Sequence, residues 1–149
     1  MGVVDAVGTG PVALDTAVFI YFIEEHPRYL PLIAPIFQEI DRGGIAGVTS
    51  AITLLEVLVV PYRAGNFPLA ERYERLLSRG KGLRLVALDA GQMRAAAQLR
   101  AFHGVRTPDA LQLAAALTSS CTTFVTNDRE IPDLAGIRVL QLADQCEER

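Results

Sequence analysis

Apolar positions in this chain follow two rhythms that alternate along its length. Short apolar or β-branched runs at 12–14, 45–48, 83–88, 122–126 and 137–140 read as strands. Between them lie longer stretches whose apolar residues recur every three or four positions, the spacing of a helix with one buried face. Ala17 to Glu25 is such a stretch, stopped by Pro27, and Pro31 to Arg42 is another, stopped by Gly43 and Gly44. Thr49 and Ser50 are placed to cap a helix from about Ala51 to Val60, closed by Pro61. Phe67 to Arg79 is amphipathic, and Asp89 followed by Gln92 resembles a capping box for a helix ending at about His103 before Gly104. Thr107, Pro108 and Asp109 open one more helix, to about Thr118, and Asp128 to Gly136 reads as a short broken helix around Pro132. Strands alternating with helices predict an α/β fold: a three-layer sandwich with a central, mostly parallel sheet of about five strands and helices on both faces.

Length fits this reading. At 149 residues and 50% hydrophobic content the chain has enough apolar side chains for one domain, 1–149, with its core at 12–140 and frayed ends including Cys146 to Arg149. The longest uncharged stretch, Ala110 to Asn127, is too polar to span a bilayer, so no membrane partner is expected. Cys121 and Cys146 lie far apart and near no histidine pair, which argues against a zinc site and for reduced thiols in a cytoplasmic protein, Cys121 buried. His26 and His103 are isolated and read as structural. The net charge of -3 hides an asymmetry: residues 63–106 carry nine basic and three acidic side chains, while both flanks are acidic. A basic band of that kind suits a polyanion, and equally a solvated helix surface.

Four carboxylates stand out because each is isolated in an apolar setting. Asp15 follows the first strand and is the only charge between Asp5 and Glu24; Glu56 is the only charge between Arg42 and Arg63. Asp109 is the only charge between Arg106 and Asp128, and Asp128 itself closes the run Phe124, Val125, Thr126, Asn127. Helical spacing puts Glu56 on a face with Ile52, Val59 and Val60, on the core side. Singly, each acid has an ordinary reading as a helix cap, a first-turn acid or the partner of one arginine. As a set they repeat on successive βα units, and in parallel sheets the ligand crevice lies beyond the carboxyl ends of the strands. Acids gathered there repel one another unless a divalent cation offsets the charge, and an oxygen-only set selects a hard ion, Mg²⁺ or Mn²⁺. Such ions favour hydrolysis of a phosphodiester.

Asp15 with Thr16 after an apolar strand, the run Thr49, Ser50 to Glu56, Val57, the run Thr107 to Leu111, and Thr126, Asn127, Asp128 before Gly136 to Leu140 together resemble the PIN-domain nucleases over residues 12–140. A stand-alone domain of this size looks like a VapC-type toxin, the ribonuclease half of a toxin-antitoxin pair. The resemblance implies a PIN-like fold and a metal-dependent endoribonuclease with Mg²⁺ or Mn²⁺ held by Asp15, Asp109, Glu56 and Asp128, the first two as direct ligands. It also implies Thr16, Thr126 and Asn127 as polar neighbours of the acids, frequent homodimerisation and inhibition by a cognate antitoxin. Arg106, the cation nearest Asp109 in sequence, is a possible RNA contact. Two rivals remain: a non-catalytic interaction domain of the same fold, and a phosphoaspartyl-type hydrolase, which would want a second Asp where Ala17 stands. The aromatic stretch Val18 to Ile23 reads as core or as an interface.

Overall fold

The computed structural model describes residues 2–147. Five strands, β1 (Val12–Leu14), β2 (Gly47–Ser50), β3 (Leu83–Val86), β4 (Thr123–Thr126) and β5 (Arg138–Gln141), form one sheet in the order β3-β2-β1-β4-β5 with every pairing parallel. The helices are α1 (Val3–Val7), α2 (Thr16–Ile23), α3 (Leu30–Arg42), α4 (Ile52–Arg63), α5 (Phe67–Arg79), α6 (Ala90–His103), α7 (Thr107–Thr118) and α8 (Leu142–Glu147). Alternation along the strands divides the core. Val12, Leu14, Val125 and Leu140 face a cluster built with α1, α2, α3 and α5, while Ala13, Val48 and Phe124 face a second cluster built with α6 and α7. The sheet therefore has apolar layers on both faces, as the alternating pattern predicts. Gly43 and Gly104 end α3 and α6 in the left-handed region, φ 86° and 65°, where a side chain would be strained.

The structure departs from the sequence reading at identifiable places. The second strand is 47–50 rather than 45–48: Thr49 and Ser50 are both buried strand residues, the Thr49 hydroxyl donating to Leu14 O at 2.8 Å, while the Ser50 Oγ also accepts from the Ile52 amide at 3.2 Å at the start of the next helix. The helix that follows has Ala51 at its start with no side-chain cap, and it runs through Pro61 to Arg63. The third strand ends at Val86 rather than 88, and no helix forms between Asp128 and Gly136, where the chain is held by a bridge between Leu134 and Ile137. Helices α1 and α8 occupy stretches in which the periodicity is too short to read. Val3 and Val7 are buried, and Cys146, expected in a frayed end, packs against the first core cluster; the last two residues of that stretch lie outside the described ones. Cys121 is buried, and desolvation pushes its thiol up to about 11.

Val18 and Phe19 are fully buried, so this half of the aromatic stretch is core. Phe22 stacks on Phe37 with ring centroids 4.0 Å apart, on the edge of a shallow apolar groove. Tyr21 points elsewhere, into the cleft described next.

Candidate active site

In the strand order β1 and β4 are neighbours, and the chain leaving β1 passes to β2 on one side while the chain leaving β4 passes to β5 on the other, which leaves a crevice at their carboxyl ends. A cleft of about 540 Å³ occupies that position and is lined by Asp15, Glu56, Asp109 and Asp128, together with Thr16, Tyr21, Arg106 and Gln112 among others. The four acids isolated in sequence thus converge in space. Asp15 caps α2: its Oδ1 accepts from the Thr16 amide at 2.8 Å, and its Oδ2 accepts from the Thr126 hydroxyl at 2.6 Å. Asp109 sits in the first turn of α7, buried. Glu56 projects from α4, where the Thr16 hydroxyl donates to its Oε1 at 2.6 Å. Asp128 follows β4, and its amide donates to the Thr126 hydroxyl at 3.0 Å.

Glu56 reaches the cleft for a reason other than the one its periodicity suggests. Val59 and Val60 on its supposed core face are 42% and 66% exposed. What holds the glutamate is the Thr16 hydroxyl across from it, a contact spanning forty positions in the chain.

Electrostatics make the convergence costly. Burial raises the Asp15 carboxyl above its ordinary range; hydrogen bonds from Thr126 and Thr16 pull the other way, and the charges of Asp109 and Glu56 raise it further. Asp109 is likewise raised, first by burial and also by Asp128 and Glu130, against the lowering effect of Arg106. The Arg106 guanidinium is the local counterweight. Its Nη2 lies 3.0 Å from Asp109 Oδ2, 3.0 Å from Asp128 Oδ2 and 3.4 Å from Glu130 Oε2. No three acidic, histidine or cysteine side chains among the described residues close on one point. The donor set nevertheless suits a hard divalent ion. Every acid lining the cleft offers oxygen, no histidine or cysteine is among the lining residues, and two of the carboxyls carry a repulsion that such an ion would relieve.

Beneath the acids lies a polar layer that the sequence reading missed. Gln112, buried, donates from Nε2 to the hydroxyls of Thr53 at 2.6 Å and Thr16 at 3.1 Å, and its Oε1 accepts from the Ser50 amide at 3.3 Å. The Thr49 and Thr53 hydroxyls share a bond of 2.7 Å. This layer ties α2, β2, α4 and α7 together directly below the carboxylates. Its one sequence signal is an amide three residues after Asp109 in a run, 110–117, otherwise made of Ala and Leu. Glu130 is the other omission, since its approach to Arg106 follows from a loop that local pattern does not specify. Thr16 and Thr126 donate to Glu56 and Asp15, whereas Asn127 turns its amide to the Tyr21 hydroxyl and the Ala143 amide.

Comparison with known proteins agrees with this architecture. A family model described as PIN domain matches residues 12–137. Among solved structures, VapBC2 from Rickettsia felis, bound to a DNA fragment from their promoter, superposes with a TM-score of 0.65 at 17% identity, covering 87% of this chain and 97% of that one. A toxin-antitoxin complex from Klebsiella pneumoniae gives 0.62 at 18% identity, covering 88% and 97%. FitAcB from Neisseria gonorrhoeae gives 0.62 at 20% identity, covering 89% and 98%. At these identities the likeness is one of fold, and it is a likeness to the PIN-like sandwich expected from the sequence. A comparison with curated proteins gives no match.

Proposed function

The chain belongs to the PIN domain family, and on that premise we propose that it is a metal-dependent endoribonuclease, the toxin of a toxin-antitoxin pair, acting in the cytoplasm as one domain. The observation that carries this reading is the convergence of Asp15, Glu56, Asp109 and Asp128, from four separate elements, on one cleft at the carboxyl edge of the sheet. Asp15 and Asp109, the two whose carboxyls are raised, would hold the ion directly, and Glu56 and Asp128 would complete its surroundings. Mg²⁺ or Mn²⁺ bound there supplies a Lewis acid that favours deprotonation of water and offsets charge on a phosphodiester.

The chain's own residues do the rest. The Thr16 and Thr126 hydroxyls fix the Glu56 and Asp15 carboxylates, and Gln112 fixes Thr16 in turn, so the oxygens are oriented before a substrate arrives. Asp128, more exposed than Asp109, stands at the mouth to accept a proton from the attacking water as the new P–O bond forms and the bridging P–O bond breaks. Arg106 has a side chain 63% exposed, so it can exchange carboxylate oxygens for the oxygens of a phosphate.

An antitoxin and a second copy of the chain are the partners this reading carries. The similar structure from Klebsiella pneumoniae, a toxin-antitoxin complex, supports the first, and an apolar surface supports assembly generally: Leu55, Val60, Tyr62 and Phe67, on α4 and the start of α5, are each at least half exposed. A monomer by light scattering that no product of a neighbouring reading frame binds would contradict this half of the proposal.

Purified protein incubated with transfer, ribosomal and messenger RNAs in Mg²⁺ or Mn²⁺ is expected to cut at least one of them internally, and EDTA is expected to stop the reaction. Undiminished cutting in EDTA, or intact RNA throughout, would contradict the nuclease reading.

A further inference from the structure

One residue of the cleft takes no part in the acid network. Tyr21, on α2, is the only aromatic residue among those lining the cleft. Its ring is braced on several sides. The Tyr29 ring lies 4.8 Å away, tilted by 32°, and the His26 ring lies 4.9 Å away at 62°, while His26 and Tyr29 are themselves 4.8 Å apart. Each of the three rings touches the other two. His26 is locked in turn, because its Nδ1 accepts from the amides of Arg28 at 3.1 Å and Tyr29 at 3.3 Å. At the tip, the Tyr21 hydroxyl accepts from Asn127 Nδ2 at 3.3 Å, and Asn127 is held by the Ala143 amide.

A tyrosine that only filled the core would be buried, and one that only met solvent would gain nothing from such bracing. Tyr21 is neither: it is half-buried, held from behind and at its tip, and open toward the carboxylates. A rigid aromatic surface loses little conformational entropy when something flat is laid on it. Behind it, the Arg28 guanidinium lies 5.4 Å from the Tyr29 ring centroid, which brings positive charge to the back of the cluster.

Resting on the nuclease reading above, we infer that Tyr21, braced by Tyr29 and His26, is the stacking platform for one unpaired nucleobase beside the scissile phosphate. A phosphodiester seated among the carboxylates carries its neighbouring bases to the cleft wall. A base within a duplex has both faces covered, whereas an unpaired base can lay one on the ring. The platform is indifferent to hydrogen-bonding edges and sensitive to the presence of a base. Tyr21 thereby sets which stretch of RNA can be cut without touching the reacting atoms.

The test is a cycle between protein and RNA. The probe is a labelled single-stranded oligonucleotide taken from around a site that the wild-type protein cuts, together with versions carrying one abasic nucleotide at each successive position. Tyr21→Leu keeps the apolar bulk and is expected to lower kcat/KM by about 5- to 100-fold, while Tyr21→Phe, which keeps the ring and loses only the bond to Asn127, is expected to lose clearly less. One abasic position is expected to cost the wild type a similar factor and to cost Tyr21→Leu almost nothing, a coupling that a merely structural role would not produce. Melting temperatures show whether either variant has lost its fold. If the wild type cuts RNA but Tyr21→Leu cuts it equally well, or every abasic position costs both proteins alike, the platform is overturned and the nuclease reading stands. If the wild type cuts no RNA, both fall together.

Discussion

Asp15→Asn is expected to fold, to be more stable than the wild type in EDTA at pH 7, and to lose RNA cleavage by about 10³-fold or more, the scale seen when one group that stabilises transition-state charge is removed. The opposed signs follow from one cause. Burial and the charges of Asp109 and Glu56 raise the Asp15 carboxyl, so over the range between its ordinary value and its raised one the native state holds more protons than the unfolded state. The stabilisation associated with the protonated acid is complete below the ordinary carboxylate value, and it is lost as pH rises through the raised value. Once ionised, the acid therefore strains the metal-free protein. Asparagine keeps the shape and an oxygen for the Thr16 amide while removing the charge. Urea titrations in EDTA over a series of pH values should show the variant's advantage growing as pH rises from the ordinary carboxylate range. With Mn²⁺ the order reverses: at about a hundred times its dissociation constant an ion bound only to the native state adds about 2.7 kcal/mol, or about 5–10 °C for a chain of this size, to the wild type alone. A variant that is destabilised in EDTA, or that still cuts RNA, would contradict this account of Asp15.

Arg106→Gln is expected to bind Mn²⁺ more tightly and to cut RNA more slowly. One guanidinium nitrogen is shared among Asp109, Asp128 and Glu130, and the first two of these acids are assigned to the ion. A cation entering the cleft must displace it. The arginine is solvent-exposed and its attractions are screened, so removing the competitor should tighten Mn²⁺ only modestly, by about 3- to 10-fold. The same arginine, once displaced, is the nearest donor for a phosphate, and its loss should lower kcat/KM by about 10-fold or more. Titration calorimetry alongside cleavage kinetics reads both effects. Arg94→Gln, a control in the same basic band, should change neither much. Parallel losses of metal binding and activity in Arg106→Gln would mean that the arginine serves only to hold the acids in place.

Much of this molecule is legible in its sequence, because the features in question are local. A three-residue apolar strand ending at Asp15, a proline and an acid in the first turn at 108 and 109, and a β-branched strand running into Asp128 each announce an element and deliver a carboxylate. Parallel topology then brings the strand ends to one edge without further information. What escaped the reading depends on contacts between distant segments. Thr49 and Ser50 have the composition of caps, yet they are strand residues: Leu14 on the neighbouring strand accepts from the Thr49 hydroxyl and Gln112 on α7 from the Ser50 amide, while only the Ser50 hydroxyl also serves the start of α4. Pro61 stops no helix, since α4 continues for two residues past it. Glu56 lines the cleft through its bond from Thr16 and not through the core face that helical spacing assigns it. Gln112, Glu130 and the bracing of Tyr21 all rest on bonds or ring contacts for which the 3.6-residue and two-residue periods carry no signal.

Diffraction from crystals soaked in Mn²⁺, recorded to reveal the ion's anomalous signal, tests most directly whether the four acids form a metal centre. The expected result is a peak in the cleft at about 2.0–2.3 Å from a carboxylate oxygen of Asp15 and of Asp109, with the Arg106 guanidinium moved off Asp109. Mn²⁺ found only elsewhere on the protein, or a cleft in which Arg106 keeps its carboxylates at saturating metal while RNA is still cut, would contradict it.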